Sequence, residues 1–156
     1  MNNQMLHEWL PLLANVAEIV TATGVIIAAI QLLLTKRQAV ENFEDAFDRE
    51  YRDLTKDIPT QAFLNEKLSD AQMEKAEHAF YRYIDLSNGQ AFLRQHKRVS
   101  KNTWVFWCDG IESNMKRPAF KLAWDKISVE AENSFNELRL LMACEYKVDP
   151  ANWPKK

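Results

Sequence analysis

The alternation of apolar and polar positions changes character along this chain. From Leu10 to Leu34 apolar residues follow one another with few breaks (Pro11, Asn15, Glu18, some Thr, Gly24 and Gln31), and then Lys36 and Arg37 arrive together. Counted from Leu13 to Leu34 the run is about 22 residues, or about 33 Å as a helix, which matches a hydrocarbon layer of about 30 Å. Eleven Leu, Ile and Val side chains fall in that window. On the insertion scale they sum to roughly −5 kcal/mol, from which Asn15 and Glu18 subtract. The pattern predicts a transmembrane helix. The competing expectation is a hydrophobic helix buried in a soluble bundle, and Glu18 is the residue that favours it.

After Arg37 the apolar positions thin to a helical spacing. Val40, Phe43, Phe47, Tyr51 and Leu54 recur every three or four residues through a charged background until Ile58-Pro59, which predicts an amphipathic extension of the first helix. Ser69-Asp-Ala-Gln72 has the form of a capping box and predicts a helix start. Met73, Ala76, Phe80, Tyr83, Ile84 and Leu86 supply its apolar face, and the spacing carries the helix through Asn88-Gly89 to about Lys97, at a cost of about 1 kcal/mol for the Gly. Ser100 can cap a next helix holding Trp104, Trp107, Cys108, Ile111 and Met115. Pro118 suits the first position of another, with Phe120, Trp124 and Ile127 inward. A final segment from about Val129 carries Phe135, Leu138, Leu141 and Met142 before Asp149-Pro150. The fold class expected is all-α: one N-terminal transmembrane helix leading into a cytoplasmic bundle of about four further helices. The divisions are 1–37 for the N-terminal segment and span, 38–58 for the extension and 59–156 for the helical domain.

Composition agrees with long helices, because only three Gly and five Pro are available to punctuate 156 residues. Twenty Lys and Arg against twenty-two Asp and Glu give a net charge of −2, so nucleic acid is not an expected partner. Cys108 and Cys144 lack metal-site spacing and are expected to be buried, inert thiols.

Charge also sets direction. The residues before the run, MNNQMLHEW, hold no Lys or Arg, whereas Lys36 and Arg37 follow it at once. A secretion signal has the opposite order, so the expectation is an uncleaved single-pass anchor in a bacterial inner membrane, amino terminus outside, with Trp9 at the outer interface. Within the span Ala17, Thr21, Gly24, Ala28, Gln31 and Thr35 recur at spacings of four and three. Small and polar residues on one face form a helix-packing seam in lipid, which points to a homo-oligomer.

Chemical motifs are sparse. The carboxylates Glu41, Glu44, Asp45, Asp48, Glu50 and Asp53 are interleaved with Arg49, Arg52 and Lys56, a pattern that reads as a solvated helix face rather than a metal site. His7, His78 and His96 form no local metal motif, and no phosphate-cradling or nucleophile-elbow signature is present. No catalytic residue, metal or cofactor is expected. Trp104, Trp107 and Trp124 read as core rather than as a ligand cage. Arg94, Lys97, Arg98 and Lys101 form the one dense basic patch; it either contacts an anionic surface or answers the carboxyl-end dipole of its helix.

The segment Tyr81 to Trp124 carries an Asp-Leu-Ser-Asn turn of helix, a basic stretch before Val99-Ser100, Trp104 and Trp107, Gly110-Ile111, and Pro118-Ala-Phe120 leading to Trp124. In these elements it resembles a loosely defined group of bacterial proteins of unknown function, N-terminally membrane-anchored and helical. The resemblance implies an inner-membrane location, a helical fold and no assigned active site. The expected role is a self-associating, membrane-anchored interaction or scaffold module with an unidentified cytoplasmic protein partner and no enzymatic activity. The alternatives are an oligomeric membrane-perturbing effector of prophage or phage-defence type, and, third, a membrane-anchored hydrolase.

Overall fold

The computed structural model describes the backbone from Asn3 to Pro154, and the side chains of Asn15 and of residues 18–154. Six α-helices run in order: α1 (Asn3–Thr55), α2 (Thr60–Phe63), α3 (Asp70–Gln95), α4 (Lys101–Met115), α5 (Pro118–Glu130) and α6 (Asn136–Ala143); a 3-10 turn at Pro150–Asn152 follows. No strand occurs among the described residues. The chain divides into two compact units, Met1–Glu41 and Asn42–Lys156.

The first unit is helix α1 as far as Glu41. Its apolar side chains face outward: Ile19 and Val20 are each 65% exposed, and Ile26, Ile27, Ile30 and the three leucines Leu32, Leu33 and Leu34 are at least half exposed. From Glu18 onward α1 contains a stretch of mean hydropathy 1.9 with none of it buried, long and apolar enough to cross a membrane.

The second unit buries its apolar residues. Helix α3 is central and packs against α4, α5, α6 and the 3-10 turn. Phe80, Tyr83 and Phe120 are almost completely buried. The Phe120 ring meets Phe80 edge-on at 5.1 Å and Tyr83 at 4.9 Å, a favoured aromatic geometry. The end of α1 belongs to this core: Leu54 is fully buried and Phe47 and Tyr51 pack against it. Trp104 and Trp107 are buried and Trp124 is half-buried, so the tryptophans are core residues.

The local start signals work as their chemistry dictates. Ser69 and Gln72 make the reciprocal capping box of α3, Ser100 accepts from the Thr103 N–H to cap α4, and Pro118 opens α5. Gly89 is carried inside α3, which runs on to Gln95. Two segments differ from expectation. The last helix begins at Asn136 rather than near Val129, because α5 continues to Glu130 and the chain then turns through Phe135 in a left-handed conformation, φ 59°. Arg139 fastens that corner: its Nη2 donates to the carbonyls of Ser128 and Ala131, its Nε to that of Ser134, and its guanidinium lies 5.2 Å from the Trp124 ring. Helix α2, a single turn behind Pro59 that buries Ala62, has no counterpart in the periodicity.

Scarcity of glycine shapes the helix ends. After α3, the Lys97 N–H bonds the Arg94 carbonyl and the Arg98 N–H bonds that of Leu93, the Schellman arrangement. Its left-handed position, where Gly is preferred, is held by Lys97 at φ 56°. The same pair of bonds ends α6, with Glu145 at φ 53°.

Candidate functional site

On α1, Thr21, Gly24, Ala28, Gln31 and Thr35 lie on one helix face and are exposed, as is every described side chain from Glu18 to Ala39. A Cβ added at Gly24 would meet nothing within 4 Å. Thr23, off that face, donates its hydroxyl to the Ile19 carbonyl at 2.8 Å. Ala17 and Trp9, the outer members of the expected packing and interface sets, lie outside the described side chains. Lys36 and Arg37 are exposed at the carboxyl-terminal end of the apolar stretch.

The basic patch is divided by the fold. Arg94 points inward and is fully engaged: Nε donates to Asp149 Oδ1 at 2.8 Å, Nη2 to Oδ2 at 2.6 Å, and Nη1 to the Val99 carbonyl at 2.9 Å. The Arg94 guanidinium beside Asp149 holds its carboxyl below the usual carboxylate range. Asp149 also accepts from the Ala151 N–H at 2.9 Å, capping the 3-10 turn. Arg94 therefore leaves the set expected to contact an anionic surface; Lys97, Arg98 and Lys101 are the exposed remainder. The reason is place in the fold: Arg94 lies on α3 against Asp149 at the 3-10 turn, whereas Lys97 and Arg98 follow the end of α3 and Lys101 opens α4.

The carboxylates on α1 likewise separate into two kinds. Glu41, Asp45, Glu50 and Asp53 are exposed, as a solvated face requires. Glu44 and Asp48 are not part of that face. Glu44 accepts from the Ser100 N–H at 2.8 Å and the Thr103 hydroxyl at 2.6 Å, placing a negative charge at the start of α4. Asp48 accepts from the Trp107 indole N–H at 2.9 Å, and Phe47 packs on the same indole with ring centroids 5.5 Å apart. No group of three His, Cys, Asp or Glu suited to a metal ion occurs among the described residues.

Beside Asp48 the polar interior continues. Asn114, itself buried, donates to the Tyr83 hydroxyl at 3.1 Å and lies 3.5 Å from that of Tyr51. Burial pushes the Tyr83 phenol far above its ordinary range, so it stays protonated. Burial likewise pushes the Cys108 thiol up to about 12, so its reactive thiolate is scarcely populated near neutral pH. Asn88 extends this use of side chains across the fold: its Oδ1 accepts from the Leu138 N–H at 3.0 Å and serves α6, whose own N-cap residue, Phe135, offers no acceptor.

Asp48, Glu44, Asn88 and Asp149 were not legible as partners in the sequence. Asp149 ahead of Pro150 carries a turn signal, but nothing local couples it to Arg94, 55 positions away. Comparison of the chain with protein-family models, curated proteins and solved structures gave no match.

Proposed function

We propose that this protein is a single-pass membrane-anchored helical interaction module, amino terminus outside, whose second unit presents a binding surface in the cytoplasm and whose anchor self-associates. The observation that carries the reading is the reversal of burial: Ile19 through Leu34 expose their apolar side chains while Phe80, Tyr83 and Phe120 are buried. Exposed apolar area on that scale is unfavourable in water and favourable in lipid. Lys36 and Arg37, with no Lys or Arg before the apolar run, support the orientation, since basic residues flanking a span stay on the cytoplasmic side. The Thr21, Gly24, Ala28, Gln31 and Thr35 face supports association. A binding rather than catalytic role rests on where the polar groups go: Glu44, Asp48, Arg94 and Asp149 hold helices and rings in place.

The anchor is tested by alkaline carbonate extraction of membranes from cells expressing the full chain. Retention in the pellet is expected; release to the supernatant refutes the anchor. Replacing Gly24 and Ala28 together by Leu is expected to convert crosslinked oligomers to monomers in detergent while leaving the protein in the pellet. An unchanged crosslinking ladder refutes the seam. A crosslinking pull-down from native membranes then identifies the cytoplasmic partner.

A further inference from the structure

A cleft of about 410 Å³ opens in the second unit between the end of α1, α3 and α4, and it is lined by Asp48, Tyr51, Gln90, Phe106, Trp107 and Asp109 among others. That volume falls within the range of small-molecule sites. Its chemistry is one-sided. Two carboxylates and several aromatic rings line it, and no Lys or Arg does among its lining residues.

Gln90 gives the cleft a purpose that packing does not. It is only 5% exposed, yet its side-chain amide makes no hydrogen bond to any described residue, in a core where Asn114, Ser87 and Tyr83 are all bonded. Its polar atoms keep contact with solvent, and a ligand seated in the cleft takes over the bonds that water makes there. Asp109 is exposed at the rim with no ion pair among the described residues, and the Asp48 carboxylate spends only Oδ1 on Trp107. Phe106, 74% exposed, offers an open ring face at the mouth.

We infer that this cleft binds an alkylguanidinium group. A guanidinium is planar, stacks on aromatic faces and presents five N–H donors. Those donors match what the cleft holds: carboxylate oxygens at Asp109 and Asp48, an amide oxygen at Gln90, and the rings of Tyr51, Phe106 and Trp107. A quaternary ammonium would stack but leave Gln90 unbonded, and an anion would meet two carboxylates.

The test is calorimetric titration of the full-length protein in nanodiscs of neutral lipid with butylguanidinium and, as the uncharged isostere, butylurea. Saturable binding of butylguanidinium without comparable binding of butylurea is expected. D109N should weaken that binding about threefold or more at unchanged melting temperature, the loss of one partly screened ion pair. Q90L should weaken it to a similar degree without lowering the melting temperature, since no hydrogen bond within the protein is lost. Equal affinity for the urea, no saturable binding of the guanidinium, or wild-type affinity in both variants overturns the proposal. Blocked arginine, N-acetylarginine methylamide, separates the two sources of the group. Tighter binding than butylguanidinium assigns the cleft to an arginine side chain of a polypeptide, and exclusion assigns it to a free guanidino compound.

Discussion

Met1–Glu41 and Asn42–Lys156 use the same residue types in opposite ways. In the first unit the Ile, Val and Leu side chains from Ile19 to Leu34 point outward, and Thr21, Gly24, Ala28, Gln31 and Thr35 share one face. In the second, Leu54, Ile84, Leu138 and Leu141 are buried, and Arg94 and Asp149, which enter the fold, are paired. The difference teaches that the two parts treat apolar surface differently: one leaves exposed a stretch long and apolar enough to cross a membrane, the other has used its own in forming a core.

The contrast breaks most completely if the outward-facing stretch is made polar. Replacing Ile26 and Ile30 together by Arg shifts the insertion free energy by about 6 kcal/mol, enough to cancel the whole favourable sum. The double variant is expected in the carbonate supernatant, with the far-ultraviolet circular dichroism of its second unit retained. Next in size is a cavity in the second unit. Phe120→Ala is expected to lower unfolding stability by about 3–5 kcal/mol, read by denaturant titration, while Leu33→Ala leaves that transition unmoved.

The Arg94–Asp149 pair sharpens the contrast through pH. Arg94→Ala is expected to cost about 2 kcal/mol. Because the folded-state carboxyl of Asp149 is held below its unfolded value, its contribution is present above the ordinary carboxylate range and is lost as pH falls through the folded value. Asp149→Asn should therefore remove part of the acid-side loss of stability, measured as melting temperature against pH. The smallest effects concern backbone fit. Gly89 sits in a helix with open space around its Cα, whereas Lys97 holds a left-handed position. Gly89→Ala and Lys97→Gly are each expected to stabilise by about 0.5–1 kcal/mol, raising the melting temperature by a few degrees.

Legibility followed locality. The Ser69–Gln72 box, the Ser100 cap and Pro118 at the start of α5 are decided by residues within one helical turn, so they could be read directly. Val129 could not be placed, because the corner after α5 depends on Arg139 reaching back to Ser128 and Ala131. The basic run offered the same difficulty: four cations look alike in sequence, and only the position of Asp149 makes Arg94 structural. Gln90 gave no signal whatever, since an unbonded amide is visible only once its neighbours are placed.

By itself, then, the order of residues determined the helical class, the apolar stretch with Lys36 and Arg37 behind it, and the starts of the main helices, because periodicity, side-chain length and capping act over a few positions. The tertiary structure decided which polar groups are spent: Glu44 on the start of α4, Asp48 on Trp107, Arg94 on Asp149, and Gln90 on nothing within the described fold. Those pairings join residues dozens of positions apart, and no rule of local spacing can specify a bond that exists only after the helices have packed.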